Sequence, residues 1–140
     1  MRVPRGLWSS AFALVGALTL VGSACDSGGS NGPSNPLIGG WDATSFTAQG
    51  TDFIAIGMSV VLTFEQGGTY TVAFTNDLIG ACNPGPDCAD GGDFVRTGNQ
   101  VTLDPGTVDE TVFTYAIQGS TLTLTGDING AVTTIVLAKL

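Results

Sequence analysis

From Leu37 to the C-terminus apolar and polar residues alternate almost one for one, and this period of two decides what the chain can fold into. Val60, Leu62 and Phe64 fall on one side of an extended segment, with Ser59, Val61, Thr63 and Glu65 on the other. After Gln66-Gly67-Gly68, Tyr70, Val72 and Phe74 alternate with Thr69, Thr71, Ala73 and Thr75. Successive side chains of a strand point to opposite faces, so each segment buries one row and wets the other. Two such runs joined by a Gly-containing turn predict a hairpin. The same pattern predicts short strands at 41–48, at 93–96, around Val101 and Leu103, through Phe113, Tyr115 and Ile117, around Leu122 and Leu124, and at 131–138. Thr97-Gly98-Asn99-Gln100, Gln118-Gly119-Ser120 and Asp127-Ile128-Asn129-Gly130 supply turns between them. Nowhere past Leu37 does a helical period persist for three turns.

About eight strands in sequential hairpins favour a meander over a Greek key. The expected fold is therefore all-β, an eight-stranded antiparallel up-and-down barrel, whose closure removes its sheet edges. An open sandwich is the alternative that spacing alone leaves standing.

Such a body needs a polar coat, and charge does not supply it. Charged residues are 11% of the chain and hydrophobic ones 43%, whereas an average soluble domain carries about 25% charge. Threonine fills the gap: Thr63, Thr69, Thr71, Thr75, Thr102, Thr114, Thr121, Thr123 and Thr125 sit between apolar residues, and β-branching suits them to strands. The net charge is −8. Removal of a leader carrying Arg2 and Arg5 would leave Arg96 and Lys139 against twelve acids, 2 − 12 = −10. Nothing here neutralises phosphates, which excludes nucleic acid as a partner.

The chain has no histidine. That removes His-assisted nucleophilic catalysis and histidine metal centres. Asp42, Asp52, Asp109 and Glu110 mostly fall at predicted strand ends, where solubility accounts for them. No enzymatic activity, cofactor or metal is expected.

The N-terminal segment reads differently. Two arginines in the first five residues precede LWSSAFALVGALTLV, 7–21, an uncharged run too short to span a bilayer but suited to a secretory signal. Ser23-Ala24-Cys25 follows, and Val21-Gly22-Ser23-Ala24-Cys25 resembles the lipobox of bacterial lipoproteins, in which the cysteine sulfur is diacylated. Gly22 departs from the branched aliphatic usual at that place, so ordinary cleavage at the same bond remains the alternative. The resemblance implies a signal peptide at 1–24, a lipid anchor on Cys25 and a location in the cell envelope, periplasm-facing or outer surface. Asp26 beside it is similar to the inner-membrane retention signal of some diderm bacteria. DSGGSNGPSNP, 26–36, is too poor in apolar residues to offset the entropy of ordering and predicts a flexible tether. The domain is then expected at 37–140.

Several short motifs of that domain resemble bacterial lipocalin-like (calycin) proteins. These are Gly40-Trp41 at the first strand, Leu62-Thr63-Phe64 followed by Gly68-Thr69-Tyr70-Thr71, and Tyr115-Ala116-Ile117 followed by Leu122-Thr123-Leu124. The resemblance implies a barrel with Lys139, on the last strand, packed over Trp41 to close one end. It also implies a small apolar ligand, with Trp41, Phe53, Ile56, Phe64, Tyr70, Phe74, Phe113 and Tyr115 as candidate contacts. The competing reading is a barrel filled by its own side chains, serving as a structural or interaction module of the envelope.

Three local features complete the expectations. Cys82 and Cys88 flank Asn83-Pro84-Gly85-Pro86-Asp87, which in an exported protein reads as a disulfide closing a turn rather than as a zinc pair. Asp87, Asp90 and Asp93 read as a solvated loop, with a calcium loop as the alternative. Finally TDFIAIGM, 51–58, is either an extension of the second strand or an apolar flap over the barrel mouth.

Overall fold

The computed structural model describes residues 35–140. Among them nine strands follow in order: β1 (Gly39–Ala48), β2 (Thr51–Asp52), β3 (Ser59–Phe64), β4 (Thr69–Thr75), β5 (Cys88–Thr97), β6 (Gln100–Leu103), β7 (Thr111–Gln118), β8 (Thr121–Ile128) and β9 (Ala131–Lys139). Apart from β2, each pairs antiparallel with its neighbour in sequence, and β1 pairs with β9. The result is a closed eight-stranded up-and-down barrel, as the lipocalin-like resemblance implies. The two-residue β2 extends the mouth end of β1, through Thr47–Asp52 and Ala48–Thr51.

Registers follow from the period of two. Leu62 faces Trp41 on one side and Val72 on the other, so a row of apolar side chains enters the lumen from three adjacent strands. The outer row pairs hydroxyls instead: Thr63 with Thr71, Thr114 with Thr125, and Thr125 with Thr134. Such cross-strand threonine pairs stabilise a sheet by roughly 0.2–1 kcal/mol each, so the outer face needs few charges.

One irregularity matters to the interior. Between Ala43 and Ser45 the pairing of β1 with β9 slips, and exposed Thr44 is the extra residue. A bulge reverses the in–out parity beyond it. Trp41 and Ala43 point inward before the bulge, and Phe46 points inward after it, where unbroken alternation would have turned Ser45 and Thr47 to the lumen.

The two barrel ends differ. At one, the chain enters through Asn35 to Ile38 and the β3–β4, β5–β6 and β7–β8 turns gather. Here Leu37, Trp41, Phe64, Phe94, Val101 and Leu122 are buried to within 1% exposure, and Phe64 meets Phe94 edge-on at 4.8 Å between centroids. The expected tether boundary shifts here. Asn35 is buried, its side chain accepts the Leu37 amide at 3.0 Å, and its carbonyl accepts the Ile38 amide. The folded body therefore includes Asn35 and Pro36, because Asn35 caps the first turn. The other end carries the longer connections and is the mouth.

β5 is longer than the predicted 93–96. Its first half, Cys88-Ala89-Asp90-Gly91-Gly92, lacks an apolar row yet pairs with β4 throughout. Asp90 and Asp93 consequently lie in a strand, not a loop. Three residues apart in a strand, their side chains leave opposite faces and do not converge.

Candidate functional site

Two cavities lie one above the other along the barrel axis, with Phe46 as the wall they share. The inner chamber, about 120 Å³, is lined by β-strand side chains including Val60, Leu62, Tyr70, Phe74, Phe113 and Leu124. Every lining group there is apolar except the Tyr70 phenol. That hydroxyl donates to Asp104 Oδ2 at 2.6 Å. Burial, followed by the bond to Asp104, pushes the phenol well above its ordinary range, so it stays protonated. Gly92, opposite Tyr70, makes room for this pair, because any Cβ there would collide with the Asp104 carboxylate.

The outer cavity, about 330 Å³, occupies the mouth. Three separate elements build it. The end of β1 and the turn after it supply Phe46, Ala48, Gln49 and Phe53. The β4–β5 connection supplies Ile79, Gly80 and Ala81. The β8–β9 turn supplies Ile128, Asn129 and Ala131, with Thr133 on β9.

Each wall is held by a carboxylate. Asp52 accepts from the amides of Phe46 (3.1 Å), Ile54 (3.0 Å) and Ala55 (3.4 Å) through Oδ1, and from the Ser45 hydroxyl (2.9 Å) through Oδ2. The Phe46 amide and then the Ser45 hydroxyl hold its pKa below the usual carboxylate value. This brace turns the chain so that Phe53 packs edge-on against Phe46, 6.1 Å between centroids. The 51–58 segment is thus a short flap, not a strand extension beyond Asp52. In the β4–β5 connection, Asp77 accepts the amides of Ile79 (3.0 Å) and Cys82 (2.7 Å), while a Cys82–Cys88 disulfide with Cα atoms 5.5 Å apart closes the turn. Asp87 accepts the Asn76 amide at 2.8 Å. In the β8–β9 turn, Asp127 accepts the Gly130 amide at 2.6 Å.

The predicted contacts divide among these places. Tyr70, Phe74 and Phe113 line the inner chamber and Phe53 lines the mouth. Trp41 and Phe64 belong instead to the packed closed end, where strand tilt carries their inward faces below the chamber. The Trp41 indole N–H donates to the Leu37 carbonyl at 2.7 Å, and Lys139 Nζ lies 4.4 Å from its ring centroid while donating to the Ile38 carbonyl at 2.6 Å. Lys139 therefore closes this end as the resemblance implies.

Tyr115 also lines neither cavity. Its hydroxyl donates to the Gly98 carbonyl (3.0 Å) and accepts from Arg96 Nη1 (3.2 Å), which fixes it against the β5–β6 turn. Ile56 is 59% exposed on the outside of the flap and lines neither cavity, because the turn that half-buries Phe53 and buries Met58 points Ala55, Ile56 and Gly57 to solvent. Cys25 lies outside the described residues.

Sequence reasoning missed Phe46, the shared wall, because a bulge leaves no compositional mark. It also missed Ile79 and the neighbouring backbone, where the apolar pair Leu78-Ile79 inside a polar connection was the available signal.

No protein-family model matches the chain, and no curated protein matches it. Solved structures similar to it include a lipocalin-like protein from Bacteroides uniformis, at 17% identity and a TM-score of 0.47, covering 74% of this chain and 98% of that one. Secretory abundant heat soluble protein 4 from Ramazzottius varieornatus aligns at 16% identity and 0.43, covering 75% and 95%. Fatty-acid-binding protein 1 of Echinococcus granulosus aligns at 14% and 0.40, covering 74% and 96%.

Proposed function

We propose that this protein is a non-catalytic binder of a small apolar molecule, exported and held at a membrane by a lipid on Cys25. The observation that carries the binding role is the mouth cavity of about 330 Å³, continuous in its lining with an apolar chamber beneath it through Phe46. Ligand pockets of drug-sized molecules run from about 300 Å³ upward. The inner chamber alone falls short of that, so the ligand sits chiefly at the mouth and sends at most a slender apolar end inward.

The anchor has a consistent geometry. The described chain begins at the closed end, with Asn35 and Leu37 beside Trp41. An anchor upstream of Asn35 attaches to the end opposite the mouth, leaving the mouth free to receive ligand. Two acyl chains suffice for stable attachment.

Native mass spectrometry of the protein isolated from its own host tests the binding role. A co-purified small molecule, released on unfolding, is the expected result. A bare mass with tightly held protein partners would replace this reading by the structural-module one. Substituting Cys25→Ser should move the protein to the soluble fraction, and persistent membrane attachment would overturn the anchor.

A further inference from the structure

The charge distribution around the mouth points to the kind of ligand it takes. Neither cavity is lined by an ionisable side chain other than the Tyr70 phenol. Among the described residues the cationic side chains are Arg96 and Lys139, and both are engaged at the closed end, Lys139 with Trp41 and the Ile38 carbonyl, Arg96 with the Tyr115 hydroxyl. An anionic head group held at the mouth would meet no cation there.

It would meet carboxylates instead. Each of the three walls carries one beside its lining residues. Asp52 is bonded to the amide of Phe46 and adjoins Phe53. Asp77 bonds the amides of Ile79 and Cys82, which bracket the lining backbone. Asp127 adjoins Ile128 and holds the turn through Gly130. Their structural hydrogen bonds come from neutral amides and a hydroxyl, and the three carboxylates stand around the rim outside the lining itself, Asp127 on the outer face of β8. Charges of one sign around a low-dielectric cleft raise the local concentration of the opposite charge at its entrance. Gln49 and Asn129, the polar lining groups of the two tight turns, offer carbonyl acceptors to a donor head.

We infer that the cavity selects an apolar molecule with a positively charged end, an amine or quaternary ammonium, and turns away carboxylates of the same chain length. This rests on the apolar-binding role proposed above and specifies its substrate class.

The test uses three probes with one tail and three head charges: octylamine, octanol and octanoate. Each displaces an uncharged solvatochromic dye from the full chain at about pH 7, where the amine is cationic and the acid anionic. At about 0.01 M ionic strength, where the Debye length is about 30 Å, octylamine should bind about tenfold or more tightly than octanoate, with octanol between them. At about 1 M, where the length is about 3 Å, the amine and the acid should converge. In the Asp77→Asn/Asp127→Asn double variant, which keeps an acceptor at both turns, the low-salt preference should shrink several-fold. Octanoate binding as tightly as octylamine at low salt would overturn the inference while leaving the apolar binder intact. A preference unmoved by salt would remove its electrostatic cause. If the dye binds but no probe displaces it, or the dye does not bind at all, the apolar-binding role falls too.

Discussion

Lys139 reaches the Ile38 carbonyl across the place where Gly39 would carry a side chain. Gly39 sits at φ +122°, and a Cβ there would stand 2.6 Å from Lys139 Nζ. Glycine thus serves the closed end twice, by backbone conformation and by vacancy. Replacing Lys139 with Met keeps the stem over Trp41 and removes the ammonium, and should cost about 1–2 kcal/mol in urea denaturation. Gly39→Ala should cost at least about 1 kcal/mol, because the unfavourable φ adds to displacement of the ammonium. Asp52 governs the opposite end, and its effect depends on pH. Its pKa is depressed in the folded chain, so its contribution is full above the unfolded value near 3.8 and is lost as pH falls through the folded one. Thermal melts should show Asp52→Asn less stable than the parent at neutral pH, with the gap closing in strong acid. A gap that persisted there would mean that the Asp52 charge contributes nothing.

Strands whose inner row is apolar were legible element by element, since alternation encodes both the strand and its facing. That covers β3, β4, β7, β8 and β9, together with the tight turns between them. Where side chains carry no alternation the reading stopped. The first half of β5 is Cys88-Ala89-Asp90-Gly91-Gly92, a strand made by its neighbour β4 rather than by its own residues. Of the candidate ligand residues, Tyr70, Phe74 and Phe113 line the inner chamber and Phe53 the mouth. Trp41 and Phe64 line neither cavity, because facing inward does not say at which height of a tilted barrel a residue lies, while Ile56 is turned to solvent and Tyr115 is bonded at the β5–β6 turn. The β4–β5 connection makes the next prediction. Its disulfide closes a short ring, worth about 2 kcal/mol in the chain-entropy model, and fixes Ile79 to Ala81 against the mouth. A Cys82→Ser/Cys88→Ser variant should remain a barrel by circular dichroism, lose about 2 kcal/mol, and bind an apolar dye several-fold more weakly. Unchanged dye affinity would mean that the hydrogen bonds of Asp77 shape this wall unaided.

Taken as a whole, the barrel sets a packed end against a hollow one, and local stability should follow that division. The closed end holds Trp41, Phe64, Phe94, Val101 and Leu122 almost fully buried, and its strands join through tight turns. The mouth is made of connections whose amides bond to carboxylates, around space with no atoms to supply dispersion contacts. Regions with few buried apolar contacts open at low free energy, whereas core strands open only with global unfolding. Hydrogen exchange should therefore show slow amides in β1, β8 and β9, whose pairing closes the ring. Fast exchange is expected at 53–57, 76–87 and 104–110. Addition of octylamine should slow exchange at 53–57 and 76–87, which line the mouth, and leave 104–110 unchanged, because that connection touches neither cavity beyond Leu103. Protection spread evenly over all three connections would mean that the ligand stabilises the barrel globally rather than by filling its mouth. Protection confined to the closed end would place the site elsewhere.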